Sequence, residues 1–409
     1  MPHKVLYTYC ASTPKDLETP FCCQEDQLLK IIPVEGHRAM GRFIHVPWSI
    51  YAADPHWVPP LKLERRLHLS RHNPYFEHAQ WSAWVAFRDQ RAVGRISAQI
   101  DQLRLERYDD RTGEFGMLEA EDDYEVFEAL FDAAESWLRA KGMEIIQGPF
   151  NISINDECGL LVEGFDTPPS IMMGHARPYY ATQIENCGYV KAKDIVAYRM
   201  HPDFILTPTM EKIIARSTRA HKGQFTLRSL QRDRLVDEIE LLRDIFNEAW
   251  EDNWGFVPFT EAEFKDVGSM LKSLVDKNFI KIGEIDGTAV SFIVCLPNVN
   301  EAINDLKGRL FPLGWLKLLW RLKVSHPKSV RVALMGIRKQ YQRGLTGSGI
   351  SLAMIEAIRL AILERGATVV EMGWILEDNK SMRNIIEGIG GVVAKRYRVY
   401  EKSLVAGTV

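Results

Sequence analysis

The sequence predicts an α/β protein with a mixed (α+β) sheet, built from two tandem copies of one β/α unit packed together. Three observations carry this expectation. "VAFRDQRAVGRISAQID" (Val85–Asp101) is two alternating apolar stretches around a polar turn, the pattern of a β-hairpin, and "KIGEIDGTAVSFIVCLP" (Lys281–Pro297) has the same form, aligning Asp89 with Asp286 and Val93 with Val290. "WLRAKGMEIIQG" (Trp137–Gly148) ends a helix at Gly142 and enters a strand, as "AILERGATVVEMG" (Ala361–Gly373) does at Gly366. Finally, a β-branched strand, a Gly-rich loop and a strongly periodic helix follow one another in "VRVALMGIRKQYQRGLTGSGISLAMIEAIRLAILERG".

The two pairs of matching points are offset by 197 and 224 residues, so the second copy carries 27 extra residues between its hairpin and its helix. The expected organisation is an unassigned N-terminal extension (1–30) holding Cys22-Cys23, a first repeat (31–200), and a second repeat (201–409) with an insertion at about 299–328. A repeat this long means duplication of a domain, not a solenoid.

Composition bounds the function. With 409 residues, 46% hydrophobic, 26% charged and a net charge of -3, the chain has ample core and no basic excess, so no nucleic-acid partner is expected. The six cysteines lack metal-ligand spacing, no metal site is expected, and the N-terminus lacks a signal pattern; the chain reads as cytoplasmic. No run of eighteen apolar residues suggests a membrane span.

Strand, glycine-rich loop and helix start together form an anion site, because free backbone N–H groups and the helix dipole converge there. Gln342, Arg343, Gly344, Thr346, Gly347, Ser348 and Gly349 occupy it. Neither a P-loop nor a dinucleotide fingerprint is present. Read without a ligand, the glycines would only permit close packing. At the equivalent place the first repeat has Glu119, Glu121, Asp122 and Asp123, expected at the start of its helix, which would repel a phosphate.

"YQRGLTGSGISLAMIEA", then "EDNKSMRNIIEGIGG" and a closing "RYRVYEK", resemble the acyl-CoA-binding core of the GNAT superfamily of N-acyltransferases. The family's Arg/Gln-x-x-Gly-x-Gly register fits with one mismatch, at Gly344 or Leu345. The resemblance implies acyl-CoA as co-substrate, with no cofactor permanently bound. It implies that the strand edge at Met335, Gly336 and Ile337 pairs with the pantetheine arm, that Asn379 heads a helix beside the cofactor, and that Tyr397 and Tyr400 lie on the last strand.

An amine attacking a thioester must lose a proton, so a carboxylate or histidine is needed nearby. The segment "QGPFNISINDECGLLVEGFDTPPSIMMGHARPYY" is long, weakly periodic and too apolar to be disordered. It offers Asp156, Glu157 and His175 as bases, Tyr179 as an acid for the thiolate alongside Tyr400, and Asn151 and Asn155 as substrate contacts. Each taken singly is as readily a turn former, cap or core hydrogen-bonder.

"GRLFPLGWLKLLWRLKV" (Gly308–Val324) lies in the insertion. As a helix from Leu313 it sets Lys317 and Arg321 on one face, with Leu313, Trp315, Leu316, Leu319 and Trp320 among the apolar remainder. From Lys307 to Arg331 there are seven Lys or Arg and no acid, the composition of an element lying on an anionic membrane surface; a helix buried in the core is the competing reading.

Over residues 31–404, including "VPWSIYAADPHWVPPLKLERR", "NPYFEHAQ", "AVGRISAQIDQ" and "MMGHARPYY", the chain resembles bacterial two-repeat GNAT-like proteins of the ceramide synthase type. That resemblance implies transfer of a long-chain fatty acyl group from acyl-CoA to the amine of a sphingoid base (sphinganine or 3-ketosphinganine), and the basic insertion sets the expected place at the inner face of the cytoplasmic membrane. Three alternatives stay open: a GNAT enzyme for another amine, an aminoacyl transferase of cell-wall synthesis, and a non-catalytic acyl-CoA- or lipid-binding module.

Overall fold

A computed structural model describes residues 28–220 and 225–405. Cys10, Cys22 and Cys23, with nearly all of the N-terminal extension, lie outside the described residues.

The first half of the chain runs β1 (Leu29–Pro33), α1 (Gly36–Ile50), α2 (Lys62–His68), β2 (Ala79–Arg88), β3 (Arg91–Asp101), α3 (Gln102–Tyr108), β4 (Thr112–Ala120), α4 (Tyr124–Ala140) and β5 (Ile145–Gly148). Three short strands follow, β6 (Phe150–Asn151), β7 (Glu157–Cys158) and β8 (Leu160–Glu163), then α5 (Tyr180–Asn186) and β9 (Val190–Met200). The second half runs α6 (Pro208–Ala220), β10 (Phe225–Ser229), α7 (Leu235–Trp250), α8 (Glu261–Leu274), β11 (Ile280–Ile285), β12 (Thr288–Pro297), α9 (Val299–Ile303) and α10 (Gly314–Trp320). It closes with β13 (Ser329–Ile337), α11 (Gly344–Glu364), β14 (Val369–Leu376), α12 (Lys380–Gly388) and β15 (Val392–Ser403).

The hairpins are β2–β3 and β11–β12, and Asp89 and Asp286 both turn with left-handed φ (57° and 51°), a conformation Asp tolerates at a tight turn. Gly142 and Gly366 end their helices at φ +82° and +72°.

The halves do not form two separate sheets. The strands make one mixed sheet in the order β1-β2-β3-β4-β5-β15-β9-β14-β13-β12-β11-β10, with β8 beside β15. Each half gives its last strand to the other: β15 pairs with β5 and β9 with β14, while β9 and β15 pair antiparallel at the centre. Tyr198, Tyr397, Val196 and Val399 are buried along that seam. Burying apolar area across the join ties the two repeats into one body.

Each half contains one parallel pair, β4–β5 and β13–β14, joined only over its first few residues. Beyond Val332 and Met372 the strands β13 and β14 part and leave a wedge. In the first half the equivalent wedge is filled. A Cβ on Gly116 would stand 1.8 Å from the Phe150 carbonyl oxygen, Gln99 donates to the Phe150 and Ile152 carbonyls (2.8 and 3.0 Å), and the Met117 N–H donates to Asn151 Oδ1 at 2.6 Å. The filled wedge leaves no edge for an extended ligand.

The carboxylates of the first repeat are not all at a helix start. Asp123 caps α4 and Glu121 pairs with Arg91, but Glu119 belongs to β4, buried against Tyr180 (2.8 Å) and Arg95 (3.6 Å).

The insertion docks back on the first half, where the Lys62 N–H donates to the Gly308 carbonyl at 3.1 Å. α10 starts at Gly314 with Leu313 as its cap, one residue later than expected, and runs into a π turn over Arg321–Ser325. No residue of α10 is buried: Leu316 is 46%, Leu319 50% and Trp320 57% exposed, which removes the buried-core reading. Its basic face is partly neutralised, because Lys317 and Arg321 both pair with Asp305.

Among the described residues one helix, α11, is long and apolar enough by composition to cross a membrane. Most of it is buried, against the sheet and α6, as a core helix would be.

Candidate active site

The wedge between β13 and β14 opens into an apolar cavity with about 1050 Å³ of empty space, mouth included. α7, α8 and the loop between them line one side with Phe246, Trp250, Phe256, Val267, Met270 and Leu271. β12 adds Val294 and Leu296, and the parted strands add Ala333, Leu334, Trp374 and Leu376. Its polar groups are few: Asn155 and Asp156 from the first repeat, Asn253, and Arg331.

At the far end of β13 the chain enters α11. Its amino end has Arg343 at the cap position and no side-chain cap, so the first N–H groups are left for another acceptor, with Gln342 to Leu345 exposed. The expected loop is in fact largely the first turn of the helix, since Thr346, Gly347, Ser348 and Gly349 are helical and Gly344 leads in with a left-handed φ of 65°. Two of these glycines have packing roles: a Cβ on Gly347 would stand 1.9 Å from the Gln342 carbonyl oxygen, and one on Gly349 2.0 Å from the Ser217 hydroxyl of α6. Gln342 turns inward and donates to the Ala249 and Ile337 carbonyls (3.0 and 2.8 Å).

Met335, Gly336 and Ile337 pair with Ile293, Phe292 and Ser291 of β12, on the side of β13 away from β14; Trp250 Nε1 donates to the Met335 carbonyl at 3.0 Å. Asn379 caps α12 by accepting from the Met382 N–H at 3.1 Å.

The residues proposed for acid–base work divide. Asp156 lines the cavity, its carboxylate accepting from the Ser153 hydroxyl (3.1 Å) with His68 Nε2 at 3.8 Å, and burial pushes its carboxyl above the ordinary value. Its neighbour Glu157 is engaged: Arg65 of α2 donates to Oε1 at 3.0 Å and Asn151 Nδ2 to Oε2 at 2.9 Å. Burial would raise Glu157, but Arg65 and Asn151 outweigh it and hold the carboxyl below its usual range. Asn151 therefore links the filled first wedge to Glu157, and Asn155 Nδ2 donates to the Val257 carbonyl at 3.1 Å, fastening the segment to the α7–α8 loop.

The other three are not brought to the cavity. His175 is buried beside Asp54 (3.1 Å), with burial lowering its pKa; Tyr179 donates to the Ala120 carbonyl (2.8 Å) and Tyr400 to Glu185 (3.1 Å). Burial raises both phenols, further from proton donation at neutral pH. Leu313, Trp315, Leu316, Leu319 and Trp320 form an exposed surface instead of lining the cavity.

Sequence reasoning missed Arg65, His68, Trp250, Arg331 and Trp374. Arg331 did leave a signal, a lone charge inside the apolar strand "SVRVALMG". Trp374 and α2 left none, since neither lies in a pattern that marks a site.

No family model matches the sequence. The chain is 50% identical to protein YghO of Escherichia coli over 88% of its length and 92% of that protein. It is 46% identical to the bacterial ceramide synthase of Caulobacter vibrioides, over 92% of its length and 98% of that protein. Among solved structures, a tandem GNAT protein from the clavulanic acid biosynthesis pathway matches with TM-score 0.55 at 11% identity, covering 93% of this chain and 100% of that one. A GCN5-related N-acetyltransferase from Sphaerobacter thermophilus matches with TM-score 0.50 at 13% identity, over 92% and 97%. A tandem GNAT fold and close identity over nearly the full chain place this protein, an N-acyltransferase, in the family of the bacterial ceramide synthase and YghO.

Proposed function

We propose that the protein transfers a long-chain fatty acyl group from acyl-CoA to the amine of a sphingoid base, sphinganine or 3-ketosphinganine, giving a ceramide-type lipid. The observation that carries this reading is the apolar cavity behind the wedge: it continues from the parted strands beneath α7 and α8 and has Asp156 in its wall. A short acetyl group has no use for so extended an apolar lining. The 46% identity to the Caulobacter vibrioides ceramide synthase supports the choice of amine.

In this reading the pyrophosphate sits at the uncapped start of α11, the pantetheine arm enters the wedge along β13, and the acyl chain fills the cavity. Asp156 takes a proton from the amine, which attacks the thioester carbon. The C–N bond forms as the carbonyl π bond opens, backbone N–H groups of the parted strand stabilise the resulting oxyanion, its collapse breaks the C–S bond, and the proton held by Asp156 passes through water to the thiolate. The amine reaches the site from a membrane surface met by Trp315, Leu316, Leu319 and Trp320, on an enzyme held peripherally at the inner face of the cytoplasmic membrane.

The test is thiol release with product masses recorded, from purified protein given a long-chain acyl-CoA with sphinganine, 3-ketosphinganine or no amine. Amine-dependent release with an N-acyl product is the expected result. Release without an amine, or none with either base, overturns the reading.

A further inference from the structure

Among the few polar groups of the cavity is one buried cation, Arg331. Its side chain is 1% exposed; Nη1 donates to the Ile171 carbonyl (2.9 Å), Nη2 to the Gly373 carbonyl (3.1 Å), and the guanidinium stands 5.1 Å from the Trp374 ring centre. Its Nε is buried without a partner, and so is Trp374 Nε1. Both residues line the cavity.

An alkyl chain gives neither group an acceptor, and a buried unpaired donor is costly to keep. Guanidinium and indole N–H groups only donate, so the complementary group carries an accepting oxygen. A second cation is excluded by Arg331 itself. An added carboxylate is not called for, because Glu371 faces Arg331 in register on β14 and already supplies a carboxyl group.

We propose that Arg331 Nε and Trp374 Nε1 form a subsite for a neutral oxygen, hydroxyl or carbonyl, borne by the acceptor close to its amine, and that this contact turns the nitrogen toward Asp156 in the same cavity. The inference rests on the acyl-transfer reading and deepens it. It makes the enzyme select amino alcohols and amino ketones over plain alkylamines, through two residues that no alkylamine can satisfy.

The experiment compares kcat/KM for sphinganine and 2-aminooctadecane, which share the carbon chain and the amine position and differ by two hydroxyls flanking the nitrogen, in the wild type and in Trp374→Phe. The variant keeps an aromatic ring beside the guanidinium while removing the donor and part of the ring, a loss of volume both amines feel alike, and avoids the folding risk of changing Arg331. The wild type is expected to prefer sphinganine by on the order of a hundredfold, and Trp374→Phe to shrink that ratio about tenfold, mainly through the sphinganine KM. Equal rates with both amines in the wild type, or an equal loss with both in the variant, overturn the subsite while leaving the transferase standing. Acylation of neither amine removes the transferase reading and the subsite with it.

Discussion

Arg65 of α2 donates to Glu157 at 3.0 Å across 92 positions of sequence, and this ion pair separates two adjacent carboxylates into different roles. Glu157 is held ionised and fixed; Asp156, beside it, has its carboxyl raised by burial and faces the cavity. Adjacent carboxyl groups pushed in opposite directions are a common arrangement at acid–base sites.

Asp156→Asn is therefore expected to lower kcat/KM by about a hundredfold to ten-thousandfold. The acid limb of the wild-type pH profile should lie above the ordinary carboxylate value of about 3.9. A raised carboxyl contributes stability below its unfolded pKa and loses it as pH rises through the folded one, so at neutral pH the ionised Asp156 is a burden. Asp156→Asn should accordingly raise Tm at pH 7, with the gain fading on acidification. Glu157→Gln should instead lower stability by on the order of 2 kcal/mol by leaving Arg65 unpaired. Calorimetry and pH–rate profiles of the two variants separate these effects.

Gly347 accepts no side chain without displacing the Gln342 backbone, so the anion site is better probed at Leu345, which is exposed on the first turn of α11. A glutamate there complements the helix dipole and should leave Tm unchanged or slightly higher. The same charge repels a pyrophosphate, and acyl-CoA affinity measured by titration calorimetry should fall tenfold or more. Unchanged affinity would place the cofactor elsewhere.

A second strut joins the halves. His78 lies between Asp101 (2.9 Å) and Glu263 (3.3 Å), the latter closing the capping box of α8. Burial opposes its charge, but the two carboxylates outweigh it and lift the imidazole from 6.5 to about 9. The stabilisation is fully present below pH 6.5 and is lost as pH rises through about 9. His78→Gln should lower Tm by a few degrees at pH 6 and by almost nothing at pH 10. A pH-independent difference would mean that His78 acts through packing alone.

The hairpins, the helix-ending glycines and the existence of α11 were legible because each is a local decision: period-two alternation, a left-handed turn, an apolar helix after a β-branched strand. The exchange of β9 and β15 was not, because no local pattern distinguishes pairing with β14 from pairing with β5. That exchange decides which residues meet. It carries Tyr400 toward β5 and Glu185, while the strand order brings the segment at Asp156 over the wedge of the other half. Asp156 was found because its segment is irregular and apolar, whereas Tyr179 was drawn from the same segment and lies elsewhere, since proximity in sequence does not survive the crossing.

α10 gives the last expectation. Its exposed Leu316, Leu319 and Trp320 adjoin Phe311 and Leu313, which are about two-thirds exposed, and apolar surface of this kind on a monomer marks a binding face. Asp305 offsets part of the charge of Lys317 and Arg321, so apolar insertion should contribute more than charge to the attachment. Replacing Trp315 and Trp320 by Ser should therefore abolish flotation with anionic vesicles, while raising salt in the wild type weakens flotation only slightly. Because neither indole is buried, Tm should hold, and turnover of a detergent-solubilised amine should fall less than turnover of the same amine in vesicles. Equal losses in both assays, with a lowered Tm, would mean that α10 supports the fold and not a lipid contact.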